Sequence, residues 1–226
     1  MKKKKIAGIT IGQSPRFDIS DDIRLYLSES IELVEYGALD PYAIDEVIDQ
    51  FSPKRKSDIL VTRMQDGTQV RLDGSQVSEL VQRCIFRAET DGVDGIILLC
   101  TGTFDHLIHT VPLIIPQPIF HAVVSHVANG QKVGVIIPES DQIMQAKQWW
   151  QDSGLEIEIV SASPYQDTGP LTYAALELKS KGISLICLDC MGYNTEMKQL
   201  VAEVTSLPVI LPRSLIARLA DEMFGG

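Results

Sequence analysis

Two cysteines at matched positions are the strongest chemical signal in this sequence. Residues 92–102 (GVDGIILLCTG) and 182–192 (GISLICLDCMG) align so that a glycine opens each segment. Cys100 or Cys190 stands eight residues later, and another glycine follows two residues after the cysteine. Two thiols can serve one carbon as proton acceptor and proton donor, or as nucleophile and acid. The matched pair therefore indicates acid/base or nucleophilic chemistry by Cys100 and Cys190.

The alternative for any single cysteine is burial in the core, because free cysteine is among the most buried residue types. Cys84 lies in a predicted helix and Cys187 in the middle of a predicted strand, and neither has a counterpart in the other half of the chain. We predict that these two are core residues. Four cysteines in 226 residues do not make a disulfide framework, so we expect free thiols in a reducing compartment.

The two matched cysteines each follow an apolar segment that is predicted to be a strand. Ligands of open parallel sheets bind at the carboxyl ends of the strands. We expect a helix to begin after each cysteine, where its free N–H groups would lower the thiol pKa from about 8.5. Gly102 and Gly192 would let backbone N–H groups approach a ligand oxygen closely.

Short apolar runs alternate with segments of helical period along the whole chain, which indicates a parallel α/β fold. The predicted strands are Lys5–Ile11, Ile31–Tyr36, Asp58–Thr62, Gly95–Leu99, Pro112–Ile115, Lys132–Ile137, Leu155–Val160, Ser184–Leu188 and Pro208–Leu211. The predicted helices are Asp18–Ser28, Pro41–Phe51, Ser75–Glu89, Gln117–Ala128, Asp141–Gln151, Leu171–Lys181, Glu196–Val204 and Arg213–Met223. Asp66-Gly67 predicts a hairpin within Arg63–Asp73, which breaks this alternation.

An internal repeat extends beyond the cysteines. The segments around Gly8 and Gly134 match, and at the same offset Ser14 corresponds to Ser140. We therefore predict two similar α/β lobes related by a pseudo-twofold axis.

Composition narrows the class of protein. Forty-five per cent hydrophobic and 22% charged residues are ordinary for a globular protein, and a net charge of −10 argues against binding to nucleic acid or anionic membranes. The basic residues 2–5 precede an apolar stretch too short for a signal peptide, so we expect a cytoplasmic protein. We expect no membrane association, and a homodimer is one assembly that we consider.

Further candidate site residues lie in loops at predicted strand ends. Arg16 could bind a carboxylate through two hydrogen bonds or be solvated, and Ser14 could bind a ligand oxygen or cap a helix. Arg63, on the hairpin, could supply a second cation or be an ordinary surface charge. The remaining candidates for substrate binding are Gln13, Thr101, Gly102, Thr103, Met191, Gly192 and Tyr193, with helix capping the alternative for the threonines, Tyr193 and Asn194.

Metal and redox sites have weaker support. Cys187 and Cys190 form half of a zinc motif without its second half. His106 and His109 have helical spacing but no accompanying carboxylate motif. We expect no metal and no cofactor, and we expect one of the rings of Trp149 and Trp150 to be buried.

Four segments carry a resemblance to a known family. IGQSPR at 11–16, LVTRMQDGTQV at 60–70, LLCTG at 98–102 and LDCMGY at 188–193 together resemble the AroM family, over almost the whole chain. The two-cysteine repeat in turn resembles the aspartate/glutamate racemase superfamily. This resemblance implies two Rossmann-like lobes and a C-terminal helix, Arg213–Met223, that packs on the first lobe. The first lobe would then comprise residues 1–110 plus 211–226, and the second would comprise residues 111–210. The resemblance also implies cofactor-free chemistry next to a carboxylate or carbonyl. The family name refers to a gene neighbourhood shared with aromatic amino-acid biosynthesis.

The chain departs from the racemases at both cysteines. Amino-acid racemases of this group usually have Asn-Thr after the first cysteine and Thr after the second, where this chain has Thr101-Gly102 and Met191-Gly192. An aspartate or glutamate substrate is therefore not expected. The first hypothesis is a racemase or isomerase of a small carboxylate-bearing metabolite. The alternatives are a non-catalytic binding or regulatory protein and a decarboxylase of a malonate-like acid.

Overall fold

A computed structural model describes residues 3–54, 58–104, 106–151 and 153–226, so Met1 and Lys2 lie outside it. The strands are β1 Lys4–Thr10, β2 Ile31–Gly37, β3 Ile59–Arg63, β4 Gln69–Asp73, β5 Gly95–Leu98, β6 Leu113–Ile114, β7 Val133–Ile137, β8 Ile157–Ser161, β9 Leu185–Leu188 and β10 Val209–Ile210. The helices are α1 Phe17–Arg24, α2 Ile44–Phe51, α3 Gly74–Thr90, α4 Pro116–Ala128, α5 Ile143–Gln151, α6 Gly169–Ser180, α7 Thr195–Thr205 and α8 Pro212–Phe224. The predicted alternation of strands and helices is confirmed, with boundaries displaced by at most a few residues.

The chain divides into two compact units, residues 1–116 with 216–226 and residues 117–215. The first unit contains a parallel sheet with the strand order β2-β1-β5-β6. Its central strand β1 pairs Ile6 with Leu33 of β2 and with Gly95 of β5. The last five residues of β1 are buried, as expected for a parallel strand covered on both faces.

The hairpin predicted around Asp66-Gly67 is present. β3 and β4 pair antiparallel as a separate two-stranded sheet, with Arg63 opposite Gln69. Gly67 has a φ of +88°, a conformation that strongly favours glycine, and the Asp66 carboxylate accepts a hydrogen bond from the Thr68 amide. Asp73 ends β4 and caps α3 by accepting from the Ser75 amide.

Helix α8 returns to the first unit, as the resemblance implied. The Ser28 amide donates to the Asp221 carboxylate at 2.7 Å, and the Arg218 guanidinium lies over the Tyr26 ring at 4.6 Å. The Phe224 ring covers Gly95 so closely that a Cβ there would lie 2.4 Å from the ring. These contacts tie the end of the chain to the segment after α1 and to β5.

The second unit repeats the topology of the first. Its parallel sheet has the order β10-β9-β7-β8. In both sheets the first strand in the sequence lies between the second and the third, and the fourth lies at the edge beside the third. The predicted internal repeat is therefore confirmed at the level of strand order. Phe120 and Trp150 pack on one face of the second sheet, and Leu171 and Val201 belong to the core cluster on the other.

Within the described residues, none of the helices combines the length and the apolar character needed to span a bilayer.

Candidate functional site

Cys100 stands two residues beyond the end of β5, and its side chain is buried. Its Sγ atom accepts a hydrogen bond from the Gly102 amide at 3.3 Å. A Cβ on Gly102 would lie 2.6 Å from the Leu60 side chain, so the position leaves little room for a larger residue. The turn therefore fixes a backbone donor on the thiol in the first unit.

Cys190 is placed in the same way in the second unit. It stands two residues beyond β9, and its Sγ accepts from the Gly192 amide, also at 3.3 Å. A Cβ on Gly192 would lie 2.7 Å from the Tyr165 hydroxyl oxygen. Cys190 is partly exposed, whereas Cys100 is buried. The sequence repeat thus corresponds to a repeated hydrogen-bonded turn.

The expected helix after each cysteine is present only in the second unit. Helix α7 begins at Thr195, and the Asn194 side chain caps it by accepting from the Met197 amide at 2.8 Å. For Cys100 the expectation is wrong, because the described part of residues 99–112 holds no helix. A helix N-terminus therefore does not act on the Cys100 thiol from this segment.

Side chains of α3 satisfy the backbone of that irregular segment. The Gln82 side chain accepts from the Ile108 amide and donates to its carbonyl, both at 2.7 Å. The Glu89 carboxylate accepts from the amides of Thr110 and Val111. These side-chain bonds satisfy backbone groups that a helix would have paired. The bonds from Thr110 and Val111 also lower the pKa of Glu89.

The loop after β1 is tied to its own unit. The Nε2 atom of the Gln13 side chain donates to the Tyr42 carbonyl at 2.9 Å, and its Oε1 atom accepts from the Gln65 backbone amide. The Ser14 amide and hydroxyl both donate to the Asp40 carboxylate, at 2.7 and 2.8 Å. Ser14 thus fastens the loop to the segment after β2, a role that the sequence did not indicate.

Arg16 is neither solvated nor an open clamp for a ligand. The side chain is 3% exposed, and its Nε and Nη2 atoms donate to the two oxygens of Asp18, each at 2.8 Å. Its Nη1 donates to the Thr62 hydroxyl at 3.0 Å, which links the loop to β3. The predicted bidentate carboxylate is thus Asp18 of the chain itself. The basic side chain expected for the substrate already carries a counter-charge.

Arg63, Thr101 and Thr103 lie in the same unit as Cys100. Arg63 ends β3 and is half-buried, and its carbonyl accepts from the Gln13 amide at 3.2 Å. Thr101 is buried and Thr103 is half-buried. The hairpin thus connects the other two segments within one unit. Thr62 of β3 accepts from Arg16 in the loop after β1, and Leu60 of β3 lies against Gly102 in the Cys100 turn.

Two buried side chains, those of Arg213 and Tyr193, hold the residues after Cys190 in place. Arg213 is fully buried, and its Nε donates to the Met191 carbonyl at 2.9 Å, with a second bond from Nη2. Tyr193 is also fully buried, and its hydroxyl donates to the Ala162 carbonyl at 2.6 Å. Burial raises the pKa of Tyr193 well above its usual value. Both side chains stabilise the Cys190 turn, and we now expect Tyr193 to position it rather than to contact a ligand.

A buried polar cluster beside Cys190 was missed by the sequence reasoning. The Asp189 carboxylate accepts a hydrogen bond from the Trp150 indole at 2.8 Å, and His121 Nε2 lies 3.7 Å from the same oxygen. The His121 and Trp150 rings stack with centroids 3.8 Å apart. The available signal was in the repeat, where Asp189 replaces Leu99 as the residue before the cysteine.

The other two cysteines are core residues, as predicted. Burial raises the pKa of Cys84 to about 11, with a further contribution from Asp40. Complete burial raises the pKa of Cys187 well above the usual range. Both are therefore protonated and poorly reactive near neutral pH. Of the predicted pair of tryptophans, Trp150 is the buried one and Trp149 is half-buried.

In the described part of the chain, no group of three or more histidine, cysteine and acidic side chains could hold a metal ion. His126 Nδ1 lies 2.8 Å from the Ala122 carbonyl on its own helix, and His109 Nδ1 lies 2.8 Å from the Val111 carbonyl. These rings thus have local backbone contacts.

Comparison with known proteins identifies both a family model and a fold. The model described as AroM protein matches residues 6–224. No protein of the curated set matches the sequence significantly.

Several solved structures share the fold. Maleate isomerase from Pseudomonas putida S16 superposes with a TM-score of 0.63 and 12% identity, covering 98% of this chain and 93% of that one. A mutant of arylmalonate decarboxylase in the liganded form gives 0.68 and 13%, covering 99% and 94%. A glutamate racemase from Bacillus anthracis gives 0.66 and 12%, covering 99% and 82%. At such identities the likeness establishes the racemase-like α/β fold, which was predicted, and nothing finer.

Proposed function

This chain belongs to the AroM family, and from that premise we propose that it is a cofactor-independent racemase or isomerase. It would act on a carbon next to a carboxylate or carbonyl of a small acid. One observation carries the proposal. Two thiols stand at equivalent strand ends of a duplicated fold, and each Sγ accepts an amide hydrogen bond at 3.3 Å from the glycine two residues on.

The hydrogen bonds suit the chemistry. A donor fixed on sulfur stabilises the thiolate relative to the thiol. In the proposed reaction one thiolate takes the proton from the carbon, so that a C–H bond breaks and an S–H bond forms. The thiol of the other cysteine then gives its proton to the carbanion, and the two residues exchange protonation states. The proposal requires both sulfur atoms to reach the same carbon.

Substrate binding is proposed for the groups around these thiols. The backbone N–H groups of the Cys100 and Cys190 turns are candidates for the carboxylate or enolate oxygens. Gln13, Ser14, Arg16 and Arg63 remain candidates through their loops, although Arg16 would contribute together with Asp18. The fold supports the reaction class, since a maleate isomerase, an arylmalonate decarboxylase and a glutamate racemase are built on it.

The test is incorporation of solvent deuterium at the carbon next to the carboxylate. Shikimate-pathway acids, hydantoins and amino acids would be incubated in deuterated water with the parent protein and followed by NMR. We expect exchange by the parent and a loss of at least about 100-fold in Cys100→Ser and Cys190→Ser, the usual contribution of a positioned acid or base. The matched control is Cys187→Ala, which removes a thiol from β9, the strand that leads to Cys190, and leaves the Cys190 turn itself unchanged.

Two results would contradict the proposal. One is exchange by both serine variants at the parental rate. The other is equal loss in Cys187→Ala with all variants folded by circular dichroism, because the loss would then follow the unit's stability rather than the two thiols.

The second candidate function is a non-catalytic binding protein, and the residues after the two cysteines favour it. The chain has Thr101-Gly102 and Met191-Gly192 where amino-acid racemases of this group usually have Asn-Thr and Thr. For this candidate we expect ligands to raise the melting temperature with no deuterium exchange and no product. Release of carbon dioxide from a malonate-like ligand would instead identify a decarboxylase.

A further inference from the structure

A small pocket in the first unit lies apart from the residues proposed for catalysis. It has a volume of about 140 Å³ and lies between the segment after β2 and helix α3. Its walls are apolar, formed by Ala38, Pro41, the Tyr42 ring and Leu80. None of its lining residues is among the predicted site residues.

One wall of the pocket is held in place by contacts within the first unit. The Tyr42 ring packs edge-on against Phe51 of α2, with centroids 5.0 Å apart. The carbonyls of Tyr42 and Leu39 each accept from the Gln13 side chain. The Asp40 carboxylate accepts from the Gly37 amide and from Ser14. The segment that forms this wall is thus restrained by hydrogen bonds and a ring contact.

Two arginines from successive turns of α3 line the same pocket. Arg83 and Arg87 are four residues apart, so they lie on one face of the helix, and both are exposed. The Arg87 guanidinium lies over the Tyr36 ring at 5.6 Å from its centroid, and the Tyr36 hydroxyl donates to Asp91. This cation–π contact uses none of the guanidinium N–H groups as hydrogen-bond donors. Arg87 can therefore contact Tyr36 and still donate to an anion.

Two acids lie near these arginines. Glu79 pairs with Arg83 at the exposed surface, where an ion pair is weak and readily exchanged. Asp40 faces Cys84, and its carboxylate is held by two amides and a hydroxyl, none of which carries a charge. Its negative charge therefore acts at the Cys84 thiol, and the cationic part of the pocket is the pair of exposed guanidinium groups. The pocket thus joins an apolar interior to a cationic rim in a chain whose net charge is −10.

We propose that this pocket binds a small apolar monocarboxylate, with a ring-sized body between Tyr42 and Leu80 and its carboxylate on Arg83 and Arg87. The volume sets the size, because an apolar protein cavity of about 150 Å³ accommodates one benzene ring. The rim sets the charge, because two guanidinium groups favour a carboxylate over a neutral group. Cys84, protonated at neutral pH, contributes to the wall and forms no bond to the ligand.

This site does not depend on the proposed reaction, because neither Cys100 nor Cys190 contributes to it. It does share a wall with the loop after β1. The Gly37–Tyr42 segment contacts the pocket on one side and holds Gln13 and Ser14 on the other. A bound acid would therefore restrain the loop that carries these two candidate substrate-binding residues.

Benzoate is the probe for the test, with benzamide as its neutral counterpart of the same shape. The full chain, labelled with ¹⁵N, would be titrated with each compound at pH 7 and followed by amide chemical shifts. We expect benzoate to bind with a dissociation constant of about 1 mM or lower and to shift amides of residues 37–42 and 80–87. We expect benzamide to bind at least about tenfold more weakly, because it lacks the charge.

Variants assign the binding to the arginines. Arg87→Gln and Arg83→Gln, both at exposed positions where folding should be preserved, should each weaken benzoate binding about tenfold. Arg218→Gln is the matched control, since Arg218 is also stacked on a tyrosine of the same unit but does not line the pocket. We expect this control to bind benzoate like the parent.

Three results would overturn the proposal. The first is the absence of saturable shifts at 37–42 and 80–87 with folded protein. The second is equal affinity for benzamide, and the third is equal weakening by Arg218→Gln. Shifts confined to the Cys100 turn would place the benzoate site elsewhere and would equally reject the pocket.

Discussion

The hydrogen bond between Trp150 and Asp189 offers a quantitative test of how the Cys190 turn is held. Both side chains are buried, and the indole Nε1 donates to the carboxylate at 2.8 Å. A hydrogen bond to a charged group contributes about 1.5–3 kcal/mol. In Trp150→Phe the carboxylate loses this donor, and in Asp189→Leu the indole loses its acceptor. We expect each variant to lose about 3 kcal/mol of unfolding free energy, including the change in packing.

The double variant separates the bond from the packing. When both partners become apolar, no group of this pair is left buried without its partner, so the loss should be smaller than the sum of the single losses. We expect the difference, the coupling energy, to be about 2 kcal/mol. Urea unfolding followed by far-ultraviolet circular dichroism measures it, since this signal does not depend on the deleted tryptophan.

A coupling energy below about 0.5 kcal/mol would refute this reasoning, because distant or independent sites are additive to that level. It would mean that His121, whose Nε2 lies 3.7 Å from the same oxygen, supports Asp189 without Trp150. Trp149→Phe is the control for tryptophan replacement on the same helix, and we expect it to show no coupling with Asp189→Leu.

Three further outcomes follow from the contacts described. With iodoacetamide at pH 8, the Cys84 thiol should react about 100-fold more slowly than an ordinary thiol, because its pKa is about 11. The partly exposed Cys190 should react first. Peptide mapping that finds Cys84 modified first would contradict this expectation. Arg213→Met should lower the free energy of unfolding by about 2–4 kcal/mol, because the Met191 carbonyl loses a buried charged donor. Urea unfolding measures this loss. Arg83→Met is the control, since Arg83 and its partner Glu79 are both exposed.

The third outcome concerns acid. The pKa of Glu89 is lowered by the amide of Thr110, so its contribution to stability is present above the unfolded-state value near 4.5 and is lost as pH falls through the folded-state value. Hydrogen exchange of the Thr110 amide should therefore gain protection between acidic and neutral pH, after correction for the intrinsic rate. Glu89→Gln should remove this dependence, and an unchanged profile in that variant would contradict the assignment.

Most of the fold could be predicted because its signals are local. Parallel strands buried on both faces are short apolar runs, and β1, β7 and β9 begin within one residue of the predicted positions. Asp66-Gly67 located the hairpin, although the turn is not the two-residue type I′ form, because Gly67 has a positive φ and Asp66 does not. The repeat of glycines and cysteines indicated the duplicated topology. The two glycines stand at equivalent turns because a Cβ at Gly102 or Gly192 would lie too close to a neighbouring side chain.

The candidate site was only partly predictable, because its contacts join residues distant in sequence. The two cysteine turns followed from spacing alone. The partners of Arg16 and Ser14 did not: the first binds Thr62 of the hairpin as well as Asp18, and the second binds Asp40. A helix was expected to begin after Cys100, because the cysteine follows a strand of a parallel α/β fold. Side chains of α3 accept from the backbone N–H groups of the segment after Cys100 in place of helical hydrogen bonds. No local sequence pattern predicts these long-range bonds.

The return of helix α8 to the first unit has a consequence for the order of folding during synthesis on the ribosome. Residues 117–215 form a continuous unit and emerge before residues 216–226, whose Asp221 and Phe224 contact Ser28 and Gly95. The second unit can therefore complete its core while the first still lacks the residues that cover β5. During translation the strands of the first unit's sheet are therefore synthesised early, and its last helix is synthesised last.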